Sequence, residues 1–382
     1  MSQDPTARAN RDATETAAGS TAEEDTVPFM TRLAGTLGGQ AQAVGVLVVL
    51  VALFVVTGLH NPLFWGVNNL KVLAENMSFV AIVGVGTAML IITGNIDLSI
   101  GSNLGLSAVM CAIFAKSLPV PIAFILGTFV GAAIGALNGI VVWNVSTSPL
   151  IITLGGLTLI AGVVNLVTNG QAISGMPASF TSFGNAEPLG IPTPVWTFIV
   201  IAILGFIFLT FTRTGRHIYA IGGNKEASRA AGINVRRIVI GVFLFNGLLA
   251  GVAGVLEASL FGSPDNTYGV GFELQVITAV IVGGVSFTGG EGGVVRAMLG
   301  AMLVQVVAGS IVSFGINPSY AQIVTGAILI IAVSSDHIVH TQRDRYQKAM
   351  AMREQARIAE ERQRGGAHQD PLPVAGAAAE GE

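Results

Sequence analysis

The residues with the most chemistry to offer lie in one short run, Thr93-Gly94-Asn95-Ile96-Asp97-Leu98-Ser99-Ile100-Gly101-Ser102-Asn103, set between two apolar stretches. An acid in such a setting sits at membrane depth or at its edge. An aspartate at the centre of a bilayer costs about 3 kcal/mol, so it faces protein or water rather than lipid. Gly94 and Gly101 permit a broken helix whose freed backbone groups line a cavity. Two readings follow. Asn95, Asp97, Ser99 and Ser102 line a solute pathway or its inner gate, or Asp97 or Ser99 caps the helix that comes next.

A second cluster is the basic loop from Arg213 to Arg237. Asn224 is placed to cap a short helix from Lys225 to Ala231, and Gly232 to end it. Glu226 falls in the first turn, where the helix dipole favours an anion. Ala227, Ala230 and Ala231 leave this helix a flat, thin surface, and a helix so short needs something to dock against. Contacts with lipid headgroups would explain the loop's charges but not its capped helix.

Other chemistries find no residues. None of the four lysines, Lys71, Lys116, Lys225 and Lys348, follows a glycine, so there is no GxxxxGK[ST] loop to hold a nucleotide phosphate. There is no HExxH pattern; His217 and His337 are single residues that read as interface positions. Cys111, the one cysteine, lies in an apolar run and reads as a small buried residue, which excludes a disulfide framework and a Cys-cluster metal site. Gly289-Gly290-Glu291-Gly292-Gly293 lacks the strand, spacing and lysine of a nucleotide loop and reads as a turn. No enzyme, cofactor or metal is expected of this chain.

The elements that position these residues follow from composition. Of 382 residues 52% are hydrophobic and only 11% charged, with a mean hydropathy of +0.70. Soluble domains carry roughly 25% charged residues, so this chain is a polytopic, all-helical membrane protein. A net charge of −3 suggests no nucleic-acid partner. A span needs about 20 apolar residues. Ten windows qualify in whole or part: Ala41–Leu59, Val72–Thr93, Leu104–Ala115, Val120–Val142, Pro149–Thr168, Pro194–Phe211, Ile238–Ala258, Phe272–Phe287, Gly293–Phe314 and Tyr320–Ser335. The third and eighth are short or interrupted, so the range is eight to ten. Gly127, Gly131, Gly135 and Gly139 share one helix face, and Gly247 and Gly251 repeat the pattern, for close packing of helix on helix.

Ten spans with both ends inside give a decisive charge bias. Ten basic residues in the two tails, six in the Arg213–Arg237 loop and Arg296 make 17 inside, against Lys71 and Lys116 outside. Trp65 and Trp196 then fall near the outer interface and Trp143 near the inner one. The chain divides into a disordered cytoplasmic tail (1–40), a transmembrane domain (41–335, with the loop 213–237) and a charged cytoplasmic tail (336–382). No secretory signal pattern precedes the first apolar run.

Thr93–Ser102, Gly215–Arg237 and Val282–Gly293 together resemble a known family: integral-membrane permeases of bacterial ABC importers for sugars, of the ribose, xylose and galactose type. The resemblance runs from about Asn61 to Ser335. The chain departs from the family in its long tails, and in reading Gly94-Asn95-Ile96-Asp97 where members often have a second glycine before Ile-Asp. The resemblance implies a multi-pass protein of the bacterial plasma membrane, in contact with lipid. It implies a second permease copy, a separate ATPase subunit that binds the ATP, and an extracytoplasmic sugar-binding protein. It also matches Gly222, Gly223, Asn224, Glu226, Ala227, Arg229, Ala230 and Gly232 to the loop that meets the ATPase. Two alternatives are an ion-coupled secondary transporter using Asp97, Glu257 and Glu273, and a same-family importer of a polyol or signalling solute.

Overall fold

The computed structural model describes residues 29–145 and 147–366. Residues 1–28 of the tail read over 1–40, and the terminus from 367, lie outside the described residues. Thirteen α-helices are described: α1 (Phe29–His60), α2 (Val67–Ile92), α3 (Ile100–Ala115), α4 (Val120–Asn144), α5 (Pro149–Thr168), α6 (Ala178–Gly184), α7 (Thr193–Phe211), α8 (Arg213–Gly223), α9 (Lys225–Ala230), α10 (Val235–Phe261), α11 (Phe272–Val282), α12 (Val294–Ser313) and α13 (Tyr320–Gly366). No strand occurs among the described residues.

Seven helices hold stretches long and apolar enough to cross a membrane: Gln42–His60 within α1, then α2, α4, α5, α7, α10 and α12. Three shorter apolar segments, α3, α11 and Tyr320–Asp336, accompany them. Each window read from the sequence falls on one of these ten helices, Pro149–Thr168 with the same ends and the others with shifted ones. α1 begins at Phe29, inside the segment read as tail. α11 stops at Val282, short of Phe287, because Gly283-Gly284 turns the chain. α6 and α8 were not expected.

Two compact units divide between Ser334 and Ser335. The second is helical to Gly366, and in it Arg357 donates to Glu354 at 2.9 Å from one turn away.

In the first unit α2 is the axis. Every residue from Ser78 to Ile92 is buried, under α7, α10, α11 and α12. Protein rather than lipid covers this half of α2, whose buried polar Ser78 and Thr87 are thereby kept off the hydrocarbon. α4 and α10 form the most extensive helix pair. The two glycine stripes meet there: a Cβ on Gly131 would lie 2.7 Å from Gly251 Cα, and one on Gly247 would lie 2.7 Å from Gly135 Cα. Small residues let these backbones touch where lipid supplies no hydrophobic drive. Buried polar pairs add cross-links: Thr87 Oγ1 donates to Asn246 Oδ1 (3.1 Å), and Thr57 Oγ1 to Ser310 Oγ (2.8 Å). Outward faces are apolar, with Phe129, Leu137, Leu159, Leu204 and Ile330 exposed.

The unit has two recognisable ends. At one, Lys71 pairs with Glu187 (2.6 Å), Trp65 lies against Gly58, and Trp196 Nε1 donates to Pro188 O (3.0 Å). α6 joins this end to the close of α10, where Gly184 N donates to Ser259 Oγ (2.8 Å) and Asn185 Nδ2 to Leu260 O (3.0 Å). At the other end lie Trp143, α8 and α9.

Candidate functional site

α2 and α11 end alike. Gly94 N donates to Ile91 O (2.8 Å) and Asn95 N to Leu90 O (3.1 Å); Gly284 N donates to Ile281 O (2.9 Å) and Val285 N to Val280 O (3.2 Å). Both turns place a glycine at positive φ, +74° at Gly94 and +103° at Gly284, as a Schellman ending requires. The loops that follow then meet each other. Gly290 N donates to Ile92 O at 2.9 Å, and a Cβ on Gly289 would lie 3.3 Å from Gly94 Cα.

α8 seats on this junction. Its Gly215, Ile218 and Ile221 are buried, and Thr212 Oγ1 caps it by accepting from Gly215 N (3.0 Å). Tyr219 OH donates to Gly292 O at 3.0 Å; partial burial pushes its phenol upward, with Arg296 opposing, so it stays a donor. Gly222 lies directly on Ile92 O and beside Gly290. The signal for α8 was present as apolar residues three apart, Ile218 and Ile221, within a basic run.

α9 follows at once. Asn224 Oδ1 accepts from Glu226 N (3.0 Å) and Ala227 N (2.8 Å), the N-cap expected from the sequence. The helix covers six residues, Lys225–Ala230, ending one residue short of the Ala231 read from the sequence. Gly232 (φ +82°) turns the chain, with its N–H on Arg229 O (3.0 Å). Glu226, Ala227, Arg229 and Ala230 are exposed, whereas Ser228 is buried. Lys225 and Arg229 stand over the Trp143 ring, 5.3 and 5.2 Å from its centroid, a double cation–π contact holding α9 to the end of α4. Partial burial, reinforced by Arg229, lowers the Lys225 ammonium from its ordinary value.

The Asp97 segment lies between the junction and α4. Asp97 is buried, and its Oδ1 accepts from Ser99 N (2.9 Å) and Ser99 Oγ (2.6 Å). Asn138 Nδ2 donates to Ser99 Oγ at 2.6 Å, tying α4 into the cluster. Asp97 Oδ2 is buried without a partner. Ser102 Oγ donates to Ser99 O (2.9 Å), so Asp97, Ser99 and Ser102 are brought together. Asn95 turns away, donating to Thr93 O (3.1 Å) and Thr93 Oγ1 (3.0 Å). Asn138 was not singled out from the sequence, because one amide in an apolar helix has no spacing signature.

A polar cavity of about 530 Å³ lies toward the Trp65 end, lined by Asn76 of α2, Glu257 of α10, Gln275 of α11 and Gln305 of α12. Phe79 and Phe272 wall it, and Tyr268 comes from the segment between α10 and α11. A second cavity of about 420 Å³ shares Asn76 and Gln305 and runs on to Asn61 and Asn69. Of these residues the sequence reading had offered only Glu257 as a functional candidate; the isolated amides inside apolar spans were the available signal.

The profile of the family described as branched-chain amino acid transport system / permease component matches residues 69–333. The chain is similar to the ribose import permease protein RbsC of Escherichia coli (strain K12), 36% identical over 299 residues, which are 76% of this chain and 92% of that protein. It is 32% identical over 296 residues to the D-allose transport system permease protein AlsC of the same organism, covering 77% of this chain and 90% of that one. It is 31% identical over 319 residues to the galactose/methyl galactoside import permease protein MglC of Salmonella typhimurium, covering 78% and 95%.

Proposed function

Because this chain belongs to the branched-chain amino acid transport system / permease component family, we propose that it is the membrane-spanning subunit of an ATP-binding-cassette importer for a monosaccharide. It sits in the bacterial plasma membrane, and a separate ATPase subunit binds and hydrolyses the ATP. An extracytoplasmic binding protein delivers the sugar, and a second copy of the chain completes the path. The sugar class rests on the relatives, which are named for ribose, D-allose and galactose import. The same relatives, matched over nine-tenths of their length, leave the ion-coupled alternative unfavoured. The chain is a transport subunit and not an enzyme.

One observation carries the mechanism: α9 presents Ala227 and Ala230 outward while Gly222, in the last turn of α8 just before it, lies on the junction of the two span-connecting loops. A partner that moves α9 therefore acts through Gly222 on Ile92 and Gly290, the ends of α2 and of the α11–α12 loop. Asn95, Asp97, Ser99 and Ser102 stand just beyond, where a small displacement alters an inner gate. Helices packed through backbone contact transmit such shifts as rigid bodies, which is how ligand-driven closure works in packed proteins.

The topology has ten spans and both termini inside. Seven spans are the long helices, and α3, α11 and Tyr320–Asp336 are three shorter ones. The 17-to-2 distribution of basic residues supports this orientation. It puts α9 and Trp143 at the cytoplasmic surface and the Lys71–Glu187 pair at the outer one.

Uptake tests the reading. Cells that express the chain with a P-loop ATPase and the binding protein take up a sugar while ATP is present, whether or not a protonophore is added. Uptake abolished by the protonophore but spared by ATP depletion would overturn it.

A further inference from the structure

The outer polar cavity has chemistry that the coupling end does not explain. α11 has 11 residues, which is about 16 Å of helix, roughly half of a 30 Å hydrocarbon core. Its cytoplasmic end being Val282, Phe272 stands near the middle of the membrane. The segment Gly262–Gly271 must therefore return from the outer end of α10 to that depth. It is held there by α3, whose Gly101 and Gly105 lie on the carbonyls of Gly269 and Tyr268. Irregular backbone at such depth is tolerated where it lines a cavity or is covered by protein. Here it does both: Tyr268 and Gly269 line the cavity whose wall is Phe272.

The polar groups in that cavity are idle. Among the described residues, the side-chain amides of Asn76, Gln275 and Gln305 make no hydrogen bond to protein. Glu257 Oε2 is buried without a partner. Each amide offers two donors and an acceptor, and the carboxylate offers acceptors alone. Groups of this kind, converging from four helices with aromatic walls beside them, make a solute site rather than a packing defect.

We infer that this cavity is the outer solute subsite of the transport path, and that Asn76, Glu257, Gln275 and Gln305 select a neutral, polyhydroxylated solute there. The charge pattern makes the selection. No lysine, arginine or histidine lines the cavity, so a solute carboxylate finds no counter-ion and meets Glu257 instead. Glu257 can take the ammonium of an amino acid, but the amino acid's own carboxylate then stays without a cationic partner in the cavity, so amino acids are disfavoured against neutral solutes. A sugar hydroxyl, by contrast, donates to Glu257 and both donates to and accepts from the amides, while its C–H faces lie on Phe79 and Phe272. A site built to hydrogen-bond hydroxyls rejects a solute that lacks them, because its own polar groups are left unpaired. The subsite must also release what it takes, so its affinity is low.

This inference rests on the permease reading, and the test separates the two. Gln305→Cys, and separately Asn76→Cys, are made in a Cys111→Ala chain expressed with its ATPase, and labelled in intact cells with a membrane-impermeant maleimide. D-ribose, D-allose, D-galactose and L-leucine are the probes, at high millimolar concentration. The expected result is labelling from outside that at least one sugar slows and leucine does not. At twice the dissociation constant the slowing is about threefold, since labelling reads the unoccupied fraction. Failure of either cysteine to label, or slowing by leucine as well as by sugars, overturns the inference. ATP-driven uptake of a sugar by the unmutated transporter, with no protection by that sugar at either cysteine, overturns the subsite and leaves the permease reading standing. Uptake of leucine in place of every sugar overturns both.

Discussion

Gly290 N donates to Ile92 O across 2.9 Å, and Gly222 lies on the same carbonyl. Three chain segments thus share one backbone atom, and only residues without a side chain fit around it. The close of α2, the loop before α12 and the end of α8 must move together or separate.

Gly222→Ala tests that junction. The added Cβ would overlap Ile92 O and lie 3.0 Å from Gly290 Cα, so a backbone segment has to shift. Overpacking of this kind costs about 1–3 kcal/mol. The expected outcome is a chain inserted at normal abundance whose ATPase partner still binds but no longer drives uptake. Wild-type uptake at normal abundance would show that the junction carries no coupling.

Ala227→Trp and Ala230→Trp test α9 as the docking surface. Both positions are exposed, so in the isolated chain each change stays within about ±0.5 kcal/mol. Recovery of the co-expressed ATPase on affinity purification, or uptake, is expected to fall with abundance unchanged. Ser228→Trp is the contrast: the residue is buried, and abundance itself should drop. ATPase recovery and uptake at wild-type levels in both alanine variants would make α9 a passive loop.

Asp97→Asn should impair uptake more than insertion. The amide keeps an acceptor for Ser99 N and Ser99 Oγ but replaces the charge and the unpartnered Oδ2. Asn138→Leu, which removes the donor to Ser99 Oγ, should lower uptake in the same direction and by less. If Asp97→Asn and Asp97→Leu both transport normally, the carboxylate only braces Ser99 ahead of α3 and does not line the path.

Glu226→Cys and Gln342→Cys, each in a Cys111→Ala chain, report the orientation. Both native positions are exposed, whereas Ser228 is buried and would report packing instead. Neither should react with an impermeant maleimide in intact cells, and Leu189→Cys, 90% exposed in the native chain, should react at once. Labelling of Glu226→Cys from outside would overturn the proposed topology.

Two kinds of feature were legible in the residues alone. α5 runs from Pro149 to Thr168 in both the sequence reading and the structure, because Ser148-Pro149 opens it and Asn169, at φ +51°, closes it. The cap of α9 was equally plain, since Asn224 meets its own donors two and three residues on. Both depend on neighbours in the chain. A helix in lipid has to satisfy its backbone hydrogen bonds within itself, so an apolar run of sufficient length declares a span whatever surrounds it.

What stayed hidden is set by contacts between distant segments. α8 mixes charges, Ile218, Ile221 and two terminal glycines, and it becomes a helix with a purpose only when Tyr219 and Gly222 reach Gly292 and Ile92. The return of Gly262–Gly271 toward Phe272 has no periodic pattern, and neither does the convergence of Asn76, Glu257, Gln275 and Gln305. Apolar windows record depth, one coordinate along the bilayer normal. Which helices approach, and which loops they bring together, is decided by small residues fitting across helix faces, and that fit exists only once the whole bundle has packed.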